Sequence, residues 1–85
     1  MPAISRFYGI KITFNYEDHN PPHFHARYAE FEASFDLEGN LIEGEMPNKQ
    51  AKLIAAWAVL HQDELAANWH LASNKEALVR IEPLK

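Results

Sequence analysis

The hydrophobic period of this chain changes once, at Met46-Pro47-Asn48, and that change limits the fold more than any other feature. Before it, apolar residues recur at every second position. Ile10, Ile12, Phe14 and Tyr16 alternate with Lys11, Thr13 and Asn15, the pattern of a pleated strand with one buried face. Phe24, Ala26 and Tyr28 then point one way while His23, His25 and Arg27 point the other. Phe31, Ala33, Phe35 and Leu37 repeat the alternation against Glu32, Ser34 and Asp36. Beyond Asn48 the period lengthens. Leu53, Ile54, Trp57 and Leu60 or His61, then Leu65, Trp69 and Ala72, follow helical spacing.

Breaker residues divide these runs into elements. Gly9 marks a bend after a short segment around Ile4–Tyr8. Asp18-His19-Asn20-Pro21-Pro22 ends the next strand near Glu17, because two prolines remove two donors and push Asn20 and Pro21 towards extended or turn conformations. Ala29-Glu30 is a tight connection, Glu38-Gly39-Asn40 a turn, and Leu41–Gly44 a further short strand. Asn48 is placed to cap the helical half. A single helix over Asn48–Asn74 would be about 40 Å long, too long for a globule whose expected radius of gyration is near 12 Å. A break is therefore expected near His61–Asp63, with Asp63 capping the second helix. Ala77–Ile81 reads as a closing strand before Pro83. The expected fold is α+β: an antiparallel sheet of about three to five strands, made of an N-terminal meander plus the C-terminal strand, packed on a two-helix pair. Residues 1–85 form one domain.

A domain of 85 residues without cysteine buries only about 60–65% of its unfolded surface and has no disulfides or thiolate zinc sites to hold it. Its core must suffice, or a partner must help. No apolar run approaches the roughly 18–20 residues of a membrane span, and Met-Pro-Ala-Ile-Ser-Arg lacks the layout of a signal peptide. The expected location is cytoplasmic, with no membrane association. The formal net charge of -4 counts against direct DNA binding, since proteins that hold nucleic acid non-specifically are usually basic. The charge is also uneven: residues 31–48 carry five acids (Glu32, Asp36, Glu38, Glu43, Glu45) and no base.

Glu17-Asp18-His19-Asn20-Pro21-Pro22-His23-Phe24-His25 holds three of the five histidines. On a strand, His23 and His25 share a face roughly 6–7 Å apart. His19 and Asp18 sit across a stiff turn that can fold back towards them. Three readings stay open. The segment is a structural turn followed by a polar strand face; or it is a contact surface for a partner or nucleic acid; or it is a metal or catalytic site. In the last case Asp18, His19, His23 and His25 are the candidate ligands of a divalent metal such as zinc. His19, His23 and His25 are the candidate acid–base groups. Arg27 lies on the same face and either adds a phosphate contact or pairs across strands with Glu32 or Asp36. Trp57 and Trp69 are expected in the core, His61 and His70 on the helix surface. No Gly-rich phosphate loop, nucleophile elbow, H-E-x-x-H or helix-turn-helix pattern is present.

Ile4-Ser5-Arg6-Phe7-Tyr8-Gly9-Ile10, the D-H-N-P-P-H-F-H block at residues 18–25 and Gly44-Glu45-Met46-Pro47 resemble the domain of unknown function family number 4160. Trp57, His61, Asn68-Trp69 and Ile81-Glu82-Pro83-Leu84 extend the resemblance over nearly the whole chain. It implies a small bacterial protein, often encoded beside another small protein and proposed as a component of a toxin–antitoxin-like pair. It implies no role for the block's residues. Two functions follow as expectations. In one, the chain is the toxin-like half of such a pair, and its histidines act on or bind RNA or a nucleotide. In the other, it is a non-enzymatic interaction or regulatory domain that binds a basic partner through its acidic segment or a sheet edge. The expected partner is a second small protein encoded nearby, or a second copy of the chain.

Overall fold

The computed structural model describes residues 3–16 and 20–85. Five strands come first: β1 (Ser5–Phe7), β2 (Ile10–Thr13), β3 (His23–Tyr28), β4 (Phe31–Asp36) and β5 (Leu41–Gly44). Two helices follow, α1 (Asn48–Leu60) and α2 (Gln62–Ser73). The strands form one antiparallel sheet in the order β1-β2-β3-β4-β5, and the helix pair covers one face. The fold is α+β, and its Cα radius of gyration is 11.5 Å, close to the value expected from length.

The alternation of the first half sorts residues between the two faces. Ile4, Phe7, Ile10, Ile12, Phe14, Phe24, Ala26, Ala33 and Phe35 are buried, and Ile54, Trp57, Ala58, Leu65 and Ala72 of the helices close over them. Trp57 stands at the centre. Its ring meets Phe7 at 5.3 Å and Phe24 at 5.7 Å between centroids. Trp69 is only half-buried. It covers the end of the sheet, 6.3 Å from Phe14 and 5.5 Å from His23.

Several local expectations shift. β2 ends at Thr13, although Phe14 keeps the alternation and is buried. Asn48 is the first residue of α1 rather than its cap; Pro47 holds the cap position and no side chain caps the helix. The helix break falls at His61, which takes the place expected for Asp63 as cap of α2, leaving Asp63 in the first turn. There the acid complements the helix dipole.

The largest difference is at the C-terminus, where Ala77–Ile81 forms no strand. The segment meets the sheet just before β1, where the Ile81 N–H donates to the Ile4 carbonyl at 2.8 Å. Asn68, 1% exposed, replaces the missing ladder. Its amide Nδ2–H donates to the Val79 carbonyl and its Oδ1 accepts from the Val79 N–H, both at 2.8 Å. Trp57 adds a third tie through its Nε1–H to the Glu82 carbonyl at 2.8 Å. A buried amide that satisfies both backbone groups of one residue is costly to lose. Asn68→Ala is expected to lower stability by about 1–3 kcal/mol and to speed hydrogen exchange in residues 77–82 before it affects the sheet. Native-state exchange by NMR measures both effects.

The turn between β4 and β5 is built on Asp36. Its carboxylate accepts from the backbone N–H of Glu38 and Asn40 at 2.9 Å each and from Asn40 Nδ2 at 3.1 Å. Partial burial pushes its pKa up, but hydrogen bonds from Asn40, Glu38 and Gly39 outweigh burial and hold it below the usual carboxylate value. Gly39, at φ 92°, presses this turn against α1. A Cβ there would lie 2.7 Å from the Ala55 Cα, so the position requires glycine both for its backbone and for its space.

Candidate functional site: the open face of the sheet

The helices cover one face of the sheet and leave the other to solvent. The register decides what that face displays. Arg6 pairs with Lys11, Lys11 with Arg27, and Arg27 with Glu32. Alternation puts all four on the open face. Three bases therefore stand in one row across β1, β2 and β3, ending on an acid in β4. The next row runs Thr13, His25, Ser34, Glu43. Apart from Arg6, these residues together with Asn15 line a shallow groove of about 490 Å³.

His25 is fixed on both sides. Asn15 Nδ2 donates to its Nε2 at 3.1 Å, which makes Nε2 the acceptor. A neutral ring then carries its proton on Nδ1 and donates it to Ser34 Oγ at 3.2 Å. If the Asn15 amide turns over and presents its oxygen, the same two neighbours suit the imidazolium. His23 is held by its Nδ1–H, which donates to the Pro21 carbonyl at 2.8 Å, just after the cis Asn20–Pro21 peptide. The His23 and His25 rings meet edge to face, 5.1 Å between centroids, and Trp69 backs His23.

The structure thus brings together His23 and His25 of the expected site. Asp18 and His19, the other candidate ligands and acid–base groups, lie outside the described residues. Among the described residues no three His, Asp or Glu side chains gather to hold a metal ion. A metal on His25 would have to displace Asn15 or Ser34.

Arg27 makes the expected cross-strand pair with Glu32 at 3.1 Å, with both side chains well exposed. Such a pair contributes at most about 1 kcal/mol, and it leaves Lys11 and Arg6 without an ion pair among the described residues. His61 is partly covered: its ring lies 5.7 Å from Trp57 and its Nδ1 2.7 Å from Glu64 Oε1. His70 is exposed, as expected. The sequence reading named Arg27 but missed Arg6 and Lys11. The signal was the two-residue turn Tyr8-Gly9, which places residue 6 opposite residue 11.

No helix among the described residues is long and apolar enough to cross a membrane. No curated protein and no solved structure matches the chain significantly. The profile of the family Domain of unknown function (DUF4160) matches residues 9–70, which include β2 to β5, the histidine block, α1 and most of α2. This chain belongs to that family.

Proposed function

We propose that the open face binds the phosphodiester backbone of RNA, and that the chain is the RNA-acting, toxin-like half of a cytoplasmic two-protein module. The observation that carries this reading is the row Arg6-Lys11-Arg27. Like charges opposite one another on neighbouring strands repel and cost stability, and a chain with net charge -4 has acids enough to separate them. An anion lying across the row turns the repulsion into attraction. Net acidity is no obstacle on β1 and β2, which carry Arg6 and Lys11 and no acid; of the five acids in residues 31–48, Glu32 and Glu43 line the groove.

His25 stands one row away from the bases, and imidazole is suited to proton transfer near neutral pH. In the proposed reaction its Nε2, released by Asn15, takes the proton of a ribose 2′-hydroxyl. The 2′-oxygen attacks phosphorus, and the bond to the 5′-oxygen breaks. His23 in its protonated form gives that oxygen a proton. The products are a 2′,3′-cyclic phosphate and a 5′-hydroxyl, and the bases hold the phosphate oxygens as charge builds on them.

The test is cleavage of a fluorescently labelled single-stranded RNA. Removing an acid–base group typically costs about 10²–10⁴ in rate, so His25→Ala is expected to lose at least about 100-fold while leaving the fold intact. A His23→Ala/His25→Ala double variant that cleaves as fast as the unmodified protein excludes the mechanism.

A further inference from the structure

We propose that the outer edge of β5 is a docking site for an extended, basic segment of a partner protein, which adds to the sheet as a sixth strand. Four observations point there. β5 ends the strand order, so its outer row of N–H and C=O groups has no strand partner among the described residues. All four of its residues are exposed, including Leu41 at 53% and Ile42 at 49%, unusual for large apolar side chains on a strand. Beside it lies a broad, open apolar patch lined by Phe31, Leu41, Gly44, Glu45, Met46 and Pro47, against which apolar side chains of an incoming strand can rest. Finally, Glu43 and Glu45 flank the edge and make no ion pair among the described residues.

The charges choose the occupant. Two copies of β5 side by side would set Glu43 and Glu45 of one against acids of the other, which is unfavourable. No base lies between Arg27 and Lys49 to offset them. A strand alternating apolar and basic residues meets every feature at once. Its backbone completes the ladder, its apolar side chains rest on the patch with Leu41, and its bases face Glu43 and Glu45. The opposite edge is taken at its start, where the Ile81 N–H bonds the Ile4 carbonyl just before β1. Ile42 is the extra residue of a bulge, since Glu43 pairs with Ser34 and Leu41 with Phe35. Bulges at sheet edges discourage indiscriminate pairing.

The probe is a capped peptide of about eight residues alternating lysine and valine, titrated into the full-length ¹⁵N-labelled protein. Its controls are the glutamate–valine peptide and an N-methylated lysine–valine peptide that cannot complete the ladder. The expected result is shift changes concentrated at residues 31–36 and 41–46. Affinity should fall about tenfold or more with either control peptide and with Glu43→Lys/Glu45→Lys. Three results overturn the proposal: equal binding of the N-methylated peptide, shifts centred on another surface, or self-association of the protein through β5. If the double variant does not fold, the comparison of lysine and glutamate peptides on the unmodified protein decides. The outcome is independent of RNA cleavage, because the peptide reads the β5 edge and the cleavage assay reads His23 and His25.

Discussion

Trp57→Ala is expected to remove a large share of the protein's stability and to lower its unfolding midpoint strongly. Phe7, Phe24 and His61 all pack on its indole within 5.3–5.7 Å, and the residue is fully buried. Truncating a buried aromatic to alanine costs about 3–5 kcal/mol. For a chain of 85 residues total stability is roughly 4–13 kcal/mol, so the loss is a large share of the whole. The cost has a second part. The Nε1–H holds the Glu82 carbonyl, so the C-terminal segment loses one of its three ties. Trp57→Phe separates the two, since it refills most of the volume but cannot donate. Urea unfolding followed by circular dichroism should place the midpoint of Trp57→Phe between those of the alanine variant and the unmodified protein. Equal midpoints for all three would mean that the core does not rest on this ring.

The second expected result concerns the basic row. In an Arg6→Ala/Lys11→Ala/Arg27→Ala variant, RNA affinity at low salt should fall by about 100-fold or more. The slope of log affinity against log salt should flatten by about 2, at roughly 0.7 for each phosphate of a single strand that is no longer neutralised. Stability should hold or rise. Each like-charged pair opposed across the strands costs some tenths of a kcal/mol, and the Arg27–Glu32 pair given up is exposed and contributes little. This combination distinguishes a binding row from a structural one. Structural residues lower stability when removed, whereas removing residues kept for a ligand weakens affinity and leaves the free protein as stable or more so. Filter binding at several salt concentrations beside thermal melting reads both quantities. Unchanged affinity excludes the row as an RNA-binding surface, and reduced stability assigns it to the fold.

How much of this was legible depended on whether a feature was local. The two faces of β3 could be read because Phe24 and Ala26 alternate with His23 and His25. The pair Arg27–Glu32 could be read because two residues, Ala29-Glu30, separate the paired ends Tyr28 and Phe31. The break at His61 followed from length alone. The C-terminal segment could not be read. Ala77–Ile81 has the alternation of a strand, but the groups that satisfy its backbone come from the side chain of Asn68 on α2. Periodicity carries no record of a side chain standing in for a strand. Residues 6, 11 and 27 form no pattern in the sequence either; two successive registers bring them together. Trp69 has core spacing, yet it ends half-buried against His23 because the sheet stops beneath it. In the histidine cluster the shared face of His23 and His25 was legible, but the grip of Asn15 and Ser34 on His25 was not, since they come from a strand's end and a neighbouring strand.

The strand order also bears on how the chain reaches this state. Every strand pairs with its neighbour in sequence, and α1 leads into α2 after a single residue. Apart from the nine residues between β2 and β3, each closure is a short loop, which keeps the entropic barrier low and favours rapid folding. The ties of residues 79–82 to Asn68, Trp57 and Ile4 include the longest closure, from residue 81 back to residue 4. The meander and its groove can thus form before the ties of residues 79–82, and those ties then lock a sheet already in register.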